Sequence, residues 1–206
     1  MAAGGSEILD VGTGTGVLSL MLAQRFPDAR ITAIEIDGNA VLDARFNFEK
    51  SEFGERISLH HVSFQDFVAQ HSANHLFDSV VCNPPYFDKS LECPDLGRLR
   101  ARHSSSLPFD VLASGAYRLL KDGGVFSVCI PPEVLTAFKE TCFFAGFSLM
   151  DEYQIKSVPG KEAKRYVLVH RKGLPEEMHT YTFCMRNEDR TRSDWYRQLM
   201  KDFLLG

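Results

Sequence analysis

The sequence predicts an α/β fold in which a seven-stranded, mostly parallel sheet has helices on both faces and an antiparallel hairpin at its edge. Apolar and β-branched runs alternate with segments of helical periodicity, which is typical of parallel sheets covered on both sides. A glycine-rich segment joins the first strand to the first helix. Two strand-like runs then follow one another without a helix between them, which indicates the edge hairpin.

The predicted elements follow from this alternation. The strands are Ser6–Val11, Arg30–Ile36, Arg56–Val62, Phe77–Cys82, Val125–Ile130, Phe147–Ile155 and Arg165–His170, with His179–Met185 as a further candidate. The helices are Val17–Phe26, Gly38–Phe53, Leu107–Leu120, Pro132–Ala145 and Arg192–Leu205. We expect a turn at Asp122-Gly-Gly124, and we expect Phe143, Phe144 and Phe147 in the core.

Composition limits the classes of protein. A chain of 206 residues with 44% hydrophobic content suits one domain covering residues 1–206. No run of about 18 apolar residues or secretory signal occurs, so we expect no membrane partner. Five scattered cysteines indicate a reducing cytoplasm and no structural metal, and we expect a monomer. A net charge of −4 argues against a simple nucleic-acid binder, although a local basic patch can coexist with it.

The glycine-rich segment predicts a ligand site at the carboxyl ends of the strands. Gly12, Gly14 and Gly16 permit positive φ and a close approach of backbone to ligand. Glu35 lies 19 residues after Gly16, a spacing that suits hydrogen bonds to ribose hydroxyls, and the neighbouring Ile36 is assigned to the same site. A dinucleotide and S-adenosylmethionine both fit this pattern. Asp10 favours S-adenosylmethionine, because a carboxylate there repels a pyrophosphate and attracts a sulfonium or an ammonium.

The segment Asn83-Pro-Pro-Tyr86 ends the fourth predicted strand and suits methylation of a planar amine. The lone pair of such a nitrogen is conjugated with its ring or carbonyl and is a poor nucleophile. Oxygen acceptors from Asn83 and Pro84 would bind both N–H groups and localise the lone pair, with Pro85 restricting the backbone. Tyr86 offers a ring on which a flipped base would stack. No general base or metal is required.

Together these motifs resemble the class I S-adenosylmethionine-dependent methyltransferases, which have a Rossmann-like fold. Within that group the segments Val17–Arg25, Glu55–His60 and Asn83–Phe87 are similar to bacterial tRNA(Val) adenine-N6 methyltransferases. The resemblance implies methyl transfer to N6 of the adenine at position 37, next to the anticodon, with S-adenosylhomocysteine as product. It also implies that Phe87, Arg98 and Arg102 contact the RNA.

The sequence departs from that family in two places. The family commonly has an aspartate directly after the third strand, to contact the adenine of the cofactor, whereas Ser63 and Phe64 stand here with Asp66 as the alternative. Members also carry several tens of residues before the first strand, which help to close the cofactor site and contribute to RNA binding. Because the first predicted strand begins at Ser6, we expect this segment to be missing from the present chain.

Other functions remain open at this point. A glutamine methyltransferase acting on a release factor faces the same planar-nitrogen chemistry, as do enzymes that methylate guanine N2 in ribosomal RNA or adenine N6 in DNA. A protein that binds S-adenosylmethionine or RNA without turnover is the alternative from another class. The basic cluster around Arg98 and Arg102 is equally consistent with phosphate contacts and with a solvated loop.

Overall fold

A computed structural model describes residues 4–71, 75–84, 107–173 and 177–203. Its strands are β1 (Glu7–Val11), β2 (Arg30–Glu35), β3 (Ile57–His61), β4 (Phe77–Cys82), β5 (Leu120–Ile130), β6 (Phe147–Lys156), β7 (Ala163–Lys172) and β8 (His179–Cys184). Its α-helices are α1 (Val17–Arg25), α2 (Gly38–Lys50), α3 (Phe64–His71), α4 (Phe109–Leu119), α5 (Leu135–Phe144) and α6 (Asp194–Met200). Short 3₁₀ turns cover Gly54–Arg56 and Pro132–Val134.

The strands form one sheet in the order β3-β2-β1-β4-β5-β7-β6-β8. The first five strands run parallel, and β7 pairs antiparallel with both β5 and β6. The predicted fold class is therefore confirmed, but the count of seven strands is wrong, because the described residues contain eight. The added strand β8 pairs parallel with β6, so the β6–β7 hairpin is not itself the edge of the sheet.

Helices cover both faces of the sheet, and each face has its own apolar core. On one face α1 and α2 contribute Leu22, Ala44 and Phe48. On the other, α3, α4 and α5 contribute residues such as Phe67 and Leu112. This layering places the crossover helices of the parallel strands as the sequence predicts.

Apart from shifts at the ends of elements, the structure differs from the local predictions in three places. Helix α3 follows β3 directly and was not predicted. The expected turn at Asp122-Gly-Gly124 lies inside β5, where Gly123 has a φ of +76° and the pairing with β4 shifts its register. Phe143 and Phe144 are 72% and 85% exposed at the end of α5, so their assignment to the core is wrong.

None of the helices in the described ranges is both long and apolar enough to cross a membrane. Within the same ranges, no three or more histidine, cysteine or acidic side chains lie close enough together to hold a metal ion.

Candidate cofactor and catalytic site

A cavity lies where the order of the strands reverses. Strand β1 lies between β2 and β4. The chain continues from β1 through β2 to β3 on one side, and then crosses to β4 and β5 on the other side of β1. In open α/β sheets such a point, at the carboxyl ends of the strands, is where ligands bind. The cavity there has a volume of about 890 Å³, within the range of small-molecule sites. Its walls come from the glycine loop, the ends of β2 and β4, and residues of β5, β7 and α1.

The glycine loop is held open by backbone hydrogen bonds to β2. The N–H groups of Gly12 and Thr13 both donate to the carbonyl oxygen of Ile34, each over 3.0 Å. Gly12 and Gly14 have φ values of +70° and +58°, and a Cβ at either position would meet nothing within 4 Å. Their missing side chains therefore leave open space at the cavity.

Gly16 has a different role from the other two glycines. It caps α1 with a φ of +85°, and a Cβ there would lie 2.4 Å from the ring of Phe48 on α2. Gly16 is not among the residues that line the cavity. The structure thus gives it a packing role between α1 and α2, and a direct contact with a ligand stays a prediction.

Asp10 is buried at the end of β1, with 1% of its surface exposed. Its Oδ2 accepts hydrogen bonds from the hydroxyls of Thr13 and Ser19, each over 2.7 Å. Its Oδ1 is buried at the cavity wall with no hydrogen-bond partner among the described residues. Burial raises the pKa of this carboxyl to about 6, against the opposing effect of the two hydroxyls. A cationic ligand would supply the partner that Oδ1 lacks.

Glu35 closes the other side of the loop. Its Oε2 accepts from the Gly14 N–H over 2.9 Å, and its Oε1 accepts from the N–H groups of Ile36 and Asp37. The carboxylate is therefore fixed in position at the cavity, and Oε2 keeps a lone pair for a further donor. Ile36 follows, 58% exposed, and offers an apolar surface at the rim of the cavity.

Of the residues after β3, some cap helix α3 and others line the cavity. The Ser63 hydroxyl donates to Asp66 Oδ2 over 2.6 Å and accepts from the Asp66 N–H, an N-terminal capping arrangement for α3. Neither residue lines the cavity, whereas Phe64 and the unpredicted Gln65 both do. The structure therefore brings Phe64 to the site and leaves Ser63 and Asp66 at the start of the helix.

Asn83 and Pro84 extend from the carboxyl end of β4 into the same cavity. Strand β4 is a buried strand that pairs with β1 and β5, and this pairing fixes the position of the backbone at Asn83. The other predicted residues of this region, Pro85, Tyr86, Phe87, Arg98 and Arg102, lie outside the described residues.

Several lining residues were missed by sequence reasoning. Most come from strands and helices whose proximity depends on the order of the sheet: Leu18, Met21, Val62, Leu107, Ser127, Cys129 and Val167. The lining also includes Cys82, whose thiol has a pKa raised by burial, so it remains neutral as expected of a small apolar residue. Only the hydrophobic periodicity of α1 gave a signal, since Leu18 and Met21 share one helical face.

These residues fit S-adenosylmethionine. The cavity offers a buried, unpartnered carboxylate oxygen on Asp10, a second carboxylate on Glu35, a loop without side chains at Gly12 and Gly14, and apolar surface on Ile36 and Phe64. Such a set suits a ligand with an ammonium, a sulfonium, ribose hydroxyls and a planar base.

Residues 3–173 match the family described as methyltransferase domain. The chain belongs to this methyltransferase family. It is 45% identical to a tRNA1(Val) (adenine(37)-N6)-methyltransferase of Phocaeicola vulgatus over 165 residues, which cover 80% of this chain and 68% of that protein. It is 37% identical to the protein of the same name from Bacteroides thetaiotaomicron, covering 98% of this chain and 84% of that one.

Solved structures agree with the fold of this methyltransferase. A predicted O-methyltransferase from Agrobacterium tumefaciens superposes with a TM-score of 0.77, at 20% identity and covering 98% of this chain and 89% of that one. At that identity the likeness concerns the fold alone.

Proposed function

We propose that this methyltransferase transfers a methyl group from S-adenosylmethionine to N6 of the adenine at position 37 of tRNA1(Val). One observation carries the proposal: Asn83 and Pro84 open from the end of β4 into the cavity that holds the glycine loop and Glu35. The names of the relatives at 37% and 45% identity support the choice of substrate.

The residues that would hold the cofactor follow from the geometry of the cavity. Glu35 would accept hydrogen bonds from the ribose hydroxyls, and Ile36 and Phe64 would enclose the adenine. Gly12 and Gly14 would let the ligand lie against the backbone, and the carboxylate of Asp10 would balance its positive charge. When bound, the cofactor supplies an electrophilic methyl group.

Asn83 and Pro84 act on the other reactant. The side-chain oxygen of Asn83 and the main-chain oxygen of Pro84 accept hydrogen bonds from the two N–H groups of the target amine. This withdraws the lone pair from conjugation with the ring and directs it at the methyl carbon. The nitrogen carries a positive charge after transfer, so its proton is lost to water and no protein base is required.

Two further roles rest on the sequence of the same segment. Pro85 restricts the backbone that presents the acceptors, and the ring of Tyr86 stacks on the adenine once it has left the base stack. Stacking and the paired acceptors together select a planar ring amine.

The test is methyl transfer from labelled S-adenosylmethionine to unmodified tRNA, followed by nucleoside analysis and mapping of the labelled position. The expected product is N6-methyladenosine at position 37. A translation release factor, ribosomal RNA and DNA are tested as alternative substrates, in equal amounts, in parallel reactions. Labelling of one of these in place of tRNA would overturn the proposal.

A further inference from the structure

Two loops lie on the catalytic edge of the sheet, outside the cavity. The register pairs Ile130 at the end of β5 with Tyr166 in β7, so the tip of the β6–β7 hairpin lies on the same edge as Asn83. Strand β8 runs parallel to β6, and its last pair joins Cys184 to Lys156. The turn that follows β8 therefore emerges on this edge as well.

We call the residues from Met185 to Ser193 the arginine turn. The backbone joins it to the hairpin, since the N–H groups of Met185 and Arg186 donate to the carbonyl oxygens of Lys156 and Ser157 over 2.9 and 3.0 Å. These two hydrogen bonds make the turn and the hairpin one connected surface. Within the turn, an antiparallel bridge joins Arg186 to Arg192.

The arginine turn is internally bonded and includes an unusual backbone conformation. The Asn187 N–H donates to the Thr191 carbonyl over 2.9 Å, and Asp189 Oδ1 accepts from the N–H and the hydroxyl of Thr191. Arg190 has a φ of +67°, in the left-handed region that favours glycine. A long cationic side chain held there at some cost in strain suggests a functional requirement.

The charge of this surface is opposite to that of the whole chain. Residues 156–165 and 185–192 contain seven lysines and arginines against three acidic residues, whereas the net charge of the chain is −4. Arg186, Arg190 and Arg192 are exposed and form no ion pair within the ranges that the structure describes. The carboxylate of Asp189 accepts hydrogen bonds from Thr191 instead of pairing with these arginines.

We propose that the arginine turn, with Lys161 and Lys164 on the neighbouring hairpin, binds the sugar-phosphate backbone of the tRNA beside the target adenine. Strand β8 lies four strand steps from β4, about 19 Å along the sheet at the usual spacing. A polynucleotide entering the cavity at Asn83 reaches that distance within a few nucleotides. Cations held by a rigid turn bind phosphates without reading bases, and they fix the orientation of the strand. This inference rests on the proposed function.

The experiment compares two triple variants with the parent protein. The first is Arg186→Gln, Arg190→Gln and Arg192→Gln. The control is Arg30→Gln, Arg45→Gln and Lys50→Gln, which removes three exposed cations from the start of β2 and from α2. Binding of labelled tRNA is measured over a range of salt concentrations, together with kcat, KM for tRNA and affinity for S-adenosylmethionine.

The first variant should bind tRNA about tenfold more weakly at about 0.15 M salt, and the slope of log K against log salt should fall by about 2, as expected for three lost phosphate contacts. Its kcat and cofactor affinity should match the parent, and the control should show a much smaller change. Equal loss in the two variants, or an unchanged salt slope in the first, would overturn the inference. If the parent itself does not methylate tRNA, it is the proposed function that fails.

A single variant separates the loss of a charge from a loss of stability of the turn. Arg190→Gly removes one charge while introducing the residue that best tolerates a positive φ, so its unfolding midpoint should equal or exceed that of the parent. Its tRNA affinity should nevertheless fall by about two- to threefold, with a salt slope smaller by nearly 1. Parental affinity in this variant would contradict a phosphate contact at Arg190.

Discussion

Replacing Gly16 by alanine should destabilise the fold through two separable effects. The φ of +85° places the new side chain in the left-handed region, which costs about 1–2 kcal/mol. The added Cβ would lie 2.4 and 2.6 Å from two ring carbons of Phe48, and such overpacking costs about 1–3 kcal/mol. Together the free energy of unfolding should fall by about 2–5 kcal/mol.

Gly14→Ala is the matched control, because its φ is +58° and its Cβ would meet no atom within 4 Å. Urea unfolding should show a loss of only about 1–2 kcal/mol for this variant, while its cofactor affinity falls because the methyl group projects toward the cavity. Adding Phe48→Leu should recover part of the loss caused by Gly16→Ala but none of that caused by Gly14→Ala. Equal stability of the two alanine variants, or additivity of Gly16→Ala with Phe48→Leu, would refute the packing role of Gly16.

Two further predictions concern stability. Burial among aromatic rings lowers the pKa of His170 to about 4, so the unfolded state binds more protons between about pH 4 and 6.5 and the free energy of unfolding should rise with pH across that window, by up to about 3 kcal/mol. His170→Leu should remove this rise, and an unchanged pH profile would contradict the prediction. The effect is measured as the difference between variant and parent, because the raised pKa of Asp10 contributes to the pH dependence with the opposite sign. Arg56 donates to the carbonyl oxygens of Ala23 in the last turn of α1 and of Phe26 and Ala29 just beyond it. Arg56→Lys cannot reproduce this fork of donors, so it should lower the unfolding free energy by about 1–3 kcal/mol. A midpoint equal to that of the parent in urea would show that these bonds contribute nothing.

The order of elements was predictable because hydrophobic periodicity and turn residues agree over most of the chain. Strand β4 has the predicted bounds, and β1 and α1 differ from theirs by one residue at one end. Helix α3 was missed although its signals were present: Ser63 and Asp66 form a capping pair, and Phe64, Phe67 and Val68 share a helical face. Ser63, Phe64 and Asp66 were instead predicted as cofactor contacts, and of these three only Phe64 lines the cavity.

The remaining differences depend on tertiary pairing. Asp122-Gly-Gly124 has the local chemistry of a turn, yet pairing of β5 with β4 accommodates it as an irregularity within one long strand. Ser127 and Cys129 reach the cavity because β5 pairs with β4, and Val167 reaches it because β7 lies beside β5. No local pattern reveals either pairing. The arginine turn likewise gained its position from the pairing of β8 with β6.

The most direct test of the catalytic role of Asn83 is single-turnover methyl transfer to unmodified tRNA by Asn83→Ala and by the parent protein, with cofactor affinity measured alongside. Loss of one preorganised acceptor in the transition state should lower the rate by about 10²–10³-fold. Affinity for S-adenosylmethionine should change by less than about threefold, since Asn83 would contact the amine and not the cofactor. A rate near that of the parent, with N6-methyladenosine still formed at position 37, would contradict the account of how this site activates the amine.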